Sequence, residues 1–342
     1  MKAKLSRYTS LITDIGNLLQ QARNQVARQI NTTMVKTYRH IGHYIVEYEQ
    51  NGQDRAEYWK NLLNHISEDL TAQYWKGFSV RNLHRIRKFY LTFQDFASSV
   101  GEIQNIGWSH IDRIMHLKNP DEQQFYLIES SKEKRSLREL DRQINSALYE
   151  RLALSKDKAG VMKLAKEGEI IQTTKDLLRD PYVLEFLEFE AHHKYTEKEL
   201  ETAIINNLQM FLLEMGKGFL FEARQKRIRT EIDDFYIDLV FYNRILHCYF
   251  LIDLKVGKLT HQDIGQMQMY VNYYDREVKL PEENPTIGLI LCRENDDIIL
   301  NYTLSPEQEN IFAKEYQLYL PDKETLKDYL NQHLGGNTID SD

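Results

Sequence analysis

The spacing of apolar positions divides this chain into two stretches of different character. Over the first, apolar residues recur at helical intervals with few Pro or Gly interruptions, predicting long amphipathic helices at about 8–50 and 56–76. Ser79 then caps a helix running to Tyr90, with Leu83, Ile86 and Tyr90 facing inward and Arg81, Arg85 and Lys88 forming an outward basic stripe. Just after Gly77, this reads as the second helix of a helix-turn-helix, fit for a DNA groove, with ordinary solvated surface as the alternative. Residues 108–117 and 136–144 continue the helical pattern, and Trp108 and Phe125 read as core.

Past a charged, weakly periodic stretch at 153–169 the pattern changes. A helix opens on the capping box of Thr196 and Glu199, carries Leu200, Ile204, Leu208 and Phe211 as its apolar stripe, and closes at Gly216. Three β-rich runs follow at about 219–229, 234–243 and 246–255. Next come a helix capped by Thr260, with Ile264, Met267, Val271 and Tyr274 inward, and a strand at 286–292. Residues 296–303 read as an added edge strand and 335–342 as a disordered tail. The expected order is a helical domain at 1–155, a connecting segment at 156–175, an α+β or α/β domain at 176–330 and a tail at 331–342.

Two of those strands carry charges that a buried strand should not hold. Asp238 interrupts one apolar run, and Asp253 and Lys255 stand two apart in the next, on one face of the strand. An ionised group there is costly unless it is paired, binds a metal or borders an open cleft. The trio would be satisfied around a divalent cation, a buried ion pair or an exposed strand end being the plainer readings. Gln266 and Tyr270, four apart, share one face of the following helix. Glu222 in the first strand reads as a strand-face residue. Arg224, Lys226, Arg227 and Arg229 read as a basic patch suited to phosphate, or as a solvated face.

This order of elements, with D-x14-D-x-K and Q-x3-Y, resembles the PD-(D/E)XK nuclease superfamily, whose core is restriction-endonuclease-like with a mixed central sheet flanked by helices. Phrases at 180–187, 211–219, 237–242 and 252–255 are similar to the YhcG-type bacterial proteins, in which such a domain follows a helical N-terminal one. The resemblance implies that Asp238 and Asp253 bind metal and that Lys255 positions or activates the attacking water. It also implies that Glu201 is an additional metal-site acid, that Gln266 and Tyr270 support the site or contact substrate, and that Arg224 and Gln225 match the family's RQ. Asp253 stands where Glu is commonest, and no Pro precedes Asp238. Hard carboxylate oxygens, joined by the Leu254 carbonyl, suit Mg²⁺ or Mn²⁺, and phosphodiester hydrolysis needs such a cation. Lys255 then acts as electrostatic stabiliser or as a base of lowered pKa.

Composition narrows the reading further. The net charge of −7 conceals +6 over residues 1–160 and −13 over 161–342, which suits one part gripping phosphate and another holding metal. No apolar run reaches the ~18 residues of a membrane span, and no signal peptide is visible, so the expected location is cytoplasmic. Cys248 and Cys292 read as core thiols of a reducing compartment. Motifs for zincins, P-loops and hydrolase elbows are absent. The expected function is a metal-dependent nuclease acting on DNA. An idle or partner-dependent nucleic-acid-binding protein on the same fold and an RNA or junction nuclease are the alternatives, and a homodimer or protein partners from a defence or mobile-element system stay open.

Overall fold

The computed structural model describes residues 2–51, 56–74, 77–93, 105–189, 194–230, 233–305 and 308–335; Trp75, Lys76 and residues 336–342 of the expected tail lie outside them, while 331–335 belong to a helix. Two compact units form: Met1–Arg142 with Met162–Gly168, and Gln143–Val161 with Glu169–Asp342. No helix among the described residues is long and apolar enough to cross a membrane.

The first unit is helical. It runs through α1 (Lys2–Asn51), α2 (Ala56–Tyr74), α3 (Val80–Thr92), α4 (Trp108–Ile114) and α5 (Pro120–Lys132) into α6 (Leu137–Asn145). Ser79 caps α3, accepting the Asn82 N–H. Leu83, Ile86 and Phe89 are the buried residues of α3, in place of the expected third member Tyr90. Tyr90 lies one position round the helix, where its hydroxyl meets His43 Nδ1 at 2.9 Å. Gly42 lets α1 approach α3 closely, since a Cβ there would stand 2.6 Å from the Ile86 carbonyl oxygen. Trp108 packs against this cluster and donates to Asn82 Oδ1 at 3.2 Å, and Phe125 is fully buried, so both serve the core as expected.

The second unit begins within α6 and continues through α7 (Leu148–Leu154), α8 (Lys158–Glu167, shared between the units) and α9 (Thr174–Leu177). It then adds β1 (Tyr182–Val183), α10 (Glu197–Asn206), α11 (Leu208–Met215), β2 (Phe219–Arg229), β3 (Asp234–Asn243), β4 (Cys248–Leu254), α12 (His261–Tyr273) and β5 (Ile287–Cys292). The elements α13 (Asp297–Thr303), β6 (Ile311–Gln317) and α14 (Lys323–Gly335) complete it. The described strands form a six-stranded sheet in the order β1-β6-β5-β4-β3-β2. β1, β6, β5 and β4 run parallel to one another, while β3 pairs antiparallel with both β4 and β2. β5 is buried along its whole length and β4 nearly so, as central strands covered on both faces must be. One face packs Leu239, Phe241, Ile252 and Leu254 against α10 and α11, and the other packs Val240, Leu251 and Ile290 against α12.

Two expectations need correction. The helix read as continuous from Thr196 to Gly216 breaks at Asn207, which caps α10 with its own N–H and turns its side-chain amide back onto the Ala203 carbonyl. The stretch read as an edge strand at 296–303 is α13, because the Asp296 carboxylate accepts the N–H groups of Ile298 and Ile299 and so caps a helix. The strand that continues the sheet there is β6.

Candidate active site

The site forms where two strands part company. The β3–β4 ladder runs from Asn243↔Cys248 to Leu239↔Ile252. Beyond that pair β4 stays with β5, through Asp253↔Ile290 and Leu254↔Leu291, while β3 stays with β2 as far as Asp234↔Arg229. Asp238 occupies the fork. Its Oδ2 accepts the Leu254 N–H at 2.8 Å, a carboxylate standing where a ladder carbonyl would otherwise be needed.

Around the fork the charges interlock. Asp253 is only 2% exposed, and its Oδ2 meets Lys255 Nζ at 2.9 Å. The same ammonium lies 3.7 Å from Asp263 at the start of α12 and 3.9 Å from Glu197 at the start of α10. Asp263 is itself held by the capping box with Thr260. Burial raises the Asp253 pKa to about 7, with the Asp238 charge adding to the effect and Lys255 opposing it. Burial likewise raises Asp238 against the Leu254 N–H, Lys255 and Gln225. For Lys255 burial works downward, but Asp253, Glu197 and Asp263 overcome it and hold the ammonium charged, with its pKa raised.

Gln225 joins the other carboxylates. Its backbone has φ +48°, and its Nε2 donates both to Asp238 Oδ1 at 2.9 Å and to Glu201 Oε2 at 2.6 Å. Arg224 Nε lies 2.9 Å from Glu201 Oε1, so this buried acid of α10 is held from β2 by two neighbouring residues. Gln266 donates to the Tyr270 hydroxyl, which donates onward to the Tyr236 carbonyl at 2.9 Å. Tyr270 is fully buried, so the pair fixes the backbone of β3 two residues before Asp238.

Asp238, Asp253, Lys255, Leu254, Glu201, Arg224 and Gln225 thus come together, with Gln266 and Tyr270 behind them. Arg81, Arg85 and Lys88 lie in the first unit. There Arg81 and Lys88 are exposed, while Arg85 pairs with Asp112 at 3.2 Å. Glu222 meets Lys226 at 3.7 Å, in keeping with a strand-face role. Sequence reasoning passed over Glu197 and Asp263, although Thr260 with Asp263 three residues on is a legible cap pattern. Cys248 and Cys292 are buried free thiols, pushed up to about 12 by burial.

Comparison with known proteins places the chain in a family. Residues 175–331 match the YhcG PDDEXK nuclease domain, and residues 14–151 match the DUF1016 N-terminal domain. A protein of Escherichia coli (strain K12) described as "Putative nuclease YhcG" is 37% identical, over 94% of this chain and 93% of that protein. Among solved structures, a repair endonuclease from Pyrococcus abyssi is 16% identical, with a TM-score of 0.25 over 39% of this chain and 50% of that one. The EndoMS-dsDNA2 complex is 15% identical, with a TM-score of 0.27 over the same shares. With its two domains matched in order and its kinship running nearly end to end, the chain belongs to the YhcG-type PD-(D/E)XK nuclease family.

Proposed function

We propose that this family member is a Mg²⁺- or Mn²⁺-dependent endonuclease that hydrolyses phosphodiester bonds of DNA at the β3–β4 fork. The observation that carries the reading is the fork itself: two carboxylates, the buried Asp253 and the part-buried Asp238, with a charged Lys255 at the point where the strands separate. One ammonium does not balance the acids around it, and a hard dication would. Asp238, Asp253 and the Leu254 carbonyl suit an ion that keeps several waters. Glu201 is tied to Arg224 and Gln225, so it joins them only when the Gln225 amide swings aside.

A bound dication would polarise the phosphate and acidify a water. The chain's own contribution is electrostatic. Lys255, held charged by three acids, offers its positive charge to the phosphate oxygens as negative charge builds on them. That favours the stabilising role over a base of lowered pKa. Arg224 presents a half-exposed guanidinium at the same edge, fit to position the backbone. Calorimetric titration of Mg²⁺ or Mn²⁺ tests the ligand assignment: Asp238→Ala should weaken binding by at least about tenfold, ~1.4 kcal/mol. Unchanged affinity in that variant would remove Asp238 from the metal site.

A further inference from the structure

We propose that Tyr236 is a base-stacking subsite, so that the site takes a strand carrying an unpaired nucleotide within about two nucleotides of the scissile phosphate. The proposal rests on the nuclease reading above and deepens it to a substrate class. It starts from the length of the β2–β3 ribbon. After β4 leaves, β2 and β3 remain paired through Lys226↔Ile237, Arg227↔Tyr236, Ile228↔Phe235 and Arg229↔Asp234, an overhang of ~13 Å.

Directly opposed residues share a face, so the ribbon has two distinct sides. Ile228, Ile237 and Phe235 turn one side into the core beside Ile264 and Tyr270 of α12. The Tyr270 hydroxyl fastens the ribbon at the Tyr236 carbonyl, so the overhang is braced. The other side presents Tyr236, 45% exposed, opposite Arg227. The Arg227 guanidinium is gripped by Asp234, Nε to Oδ1 at 2.8 Å and Nη2 to Oδ2 at 2.6 Å. Its charge is therefore already answered within the ribbon, and of the exposed groups left on this side, Tyr236 and Arg229, the ring is the one that can engage a flat apolar face.

A braced, half-exposed aromatic suits a flat apolar ligand face, and on a nucleic acid that face is a base. Within a duplex the base faces are covered by their neighbours, and only an unpaired or splayed nucleotide offers one. Tyr236 stands two residues from Asp238 along β3, or ~7 Å. That equals about two stacking steps of one strand, which places the stacked base within about two nucleotides of the phosphate held at the fork.

The test uses the full chain in chelator, so that no strand is cut, and a DNA oligonucleotide carrying 2-aminopurine. Single strand, a duplex with one unpaired nucleotide and the fully paired duplex are compared. Wild type and Tyr236→Phe should quench the unpaired probe. Tyr236→Ala should lose the quench and bind about tenfold more weakly. Wild-type binding and quenching retained in Tyr236→Ala would overturn the proposal and leave the nuclease reading intact. Equal quenching of the fully paired duplex would overturn the unpaired-strand specificity. Failure of the wild type to bind any oligonucleotide would overturn the subsite, while cleavage of plasmid with Mg²⁺ or Mn²⁺ tests the nuclease reading separately.

Discussion

At the scale of single residues, the site is governed by a surplus of negative charge at the end of β4. Lys255 faces Asp253, Asp263 and Glu197, and Asp253 bears most of the cost because it is the most deeply buried of the three. Its pKa stands at about 7 in the folded chain against an ordinary value of 3.8. The folded state thus holds that proton more tightly than the unfolded state. Its contribution to stability is complete below about pH 4 and is lost as pH rises through about 7. In metal-free buffer the wild type should therefore lose stability across that window, and Asp253→Asn should flatten the slope and be the more stable protein at pH 8. Denaturant unfolding at a series of pH values checks this, and parallel curves for the two proteins would show that Asp253 is not the titrating group.

At the scale of elements, close approach and strand parting matter more than propensity. Gly42 brings the backbone of α1 against α3, and Gly42→Ala should cost about 1–3 kcal/mol in unfolding experiments, because the atom it meets is the Ile86 carbonyl oxygen and not a yielding side chain. Much at this scale was legible. The runs read as β2 and β3 match their spans, and the caps at Ser79, Thr196 and Thr260 all form, because each depends on residues within four positions. The break at Asn207 was not legible, since the apolar stripe passes through it without interruption. Asp296–Thr303 was misread because a short apolar run fits a strand or a helix turn equally, and the deciding signal was the Asp296 cap. The trio Asp238, Asp253 and Lys255 announced itself by cost alone. Gln225 did not, because its role comes from a left-handed backbone that brings its amide between two acids.

At the scale of the whole molecule, charge is divided unequally along the chain. The first 160 residues carry +6 and the remainder −13. On α3, Arg81 and Lys88 are exposed, while Arg85 is engaged with Asp112. Arg81→Ala with Lys88→Ala should weaken DNA binding and reduce the slope of log K against log salt by about 1.8. An unchanged slope in a salt titration would mean that α3 is solvated surface. If the β3–β4 fork cuts phosphodiester bonds with Lys255 as its cation, plasmid DNA incubated with Mg²⁺ or Mn²⁺ should be cleaved by the wild type and spared in a chelator control. Lys255→Ala should fold, still bind DNA and cut at least ~100-fold more slowly, the loss expected for one transition-state charge. Cleavage by Lys255→Ala at the wild-type rate would remove Lys255 from the chemistry, and cleavage that survives the chelator would remove the metal.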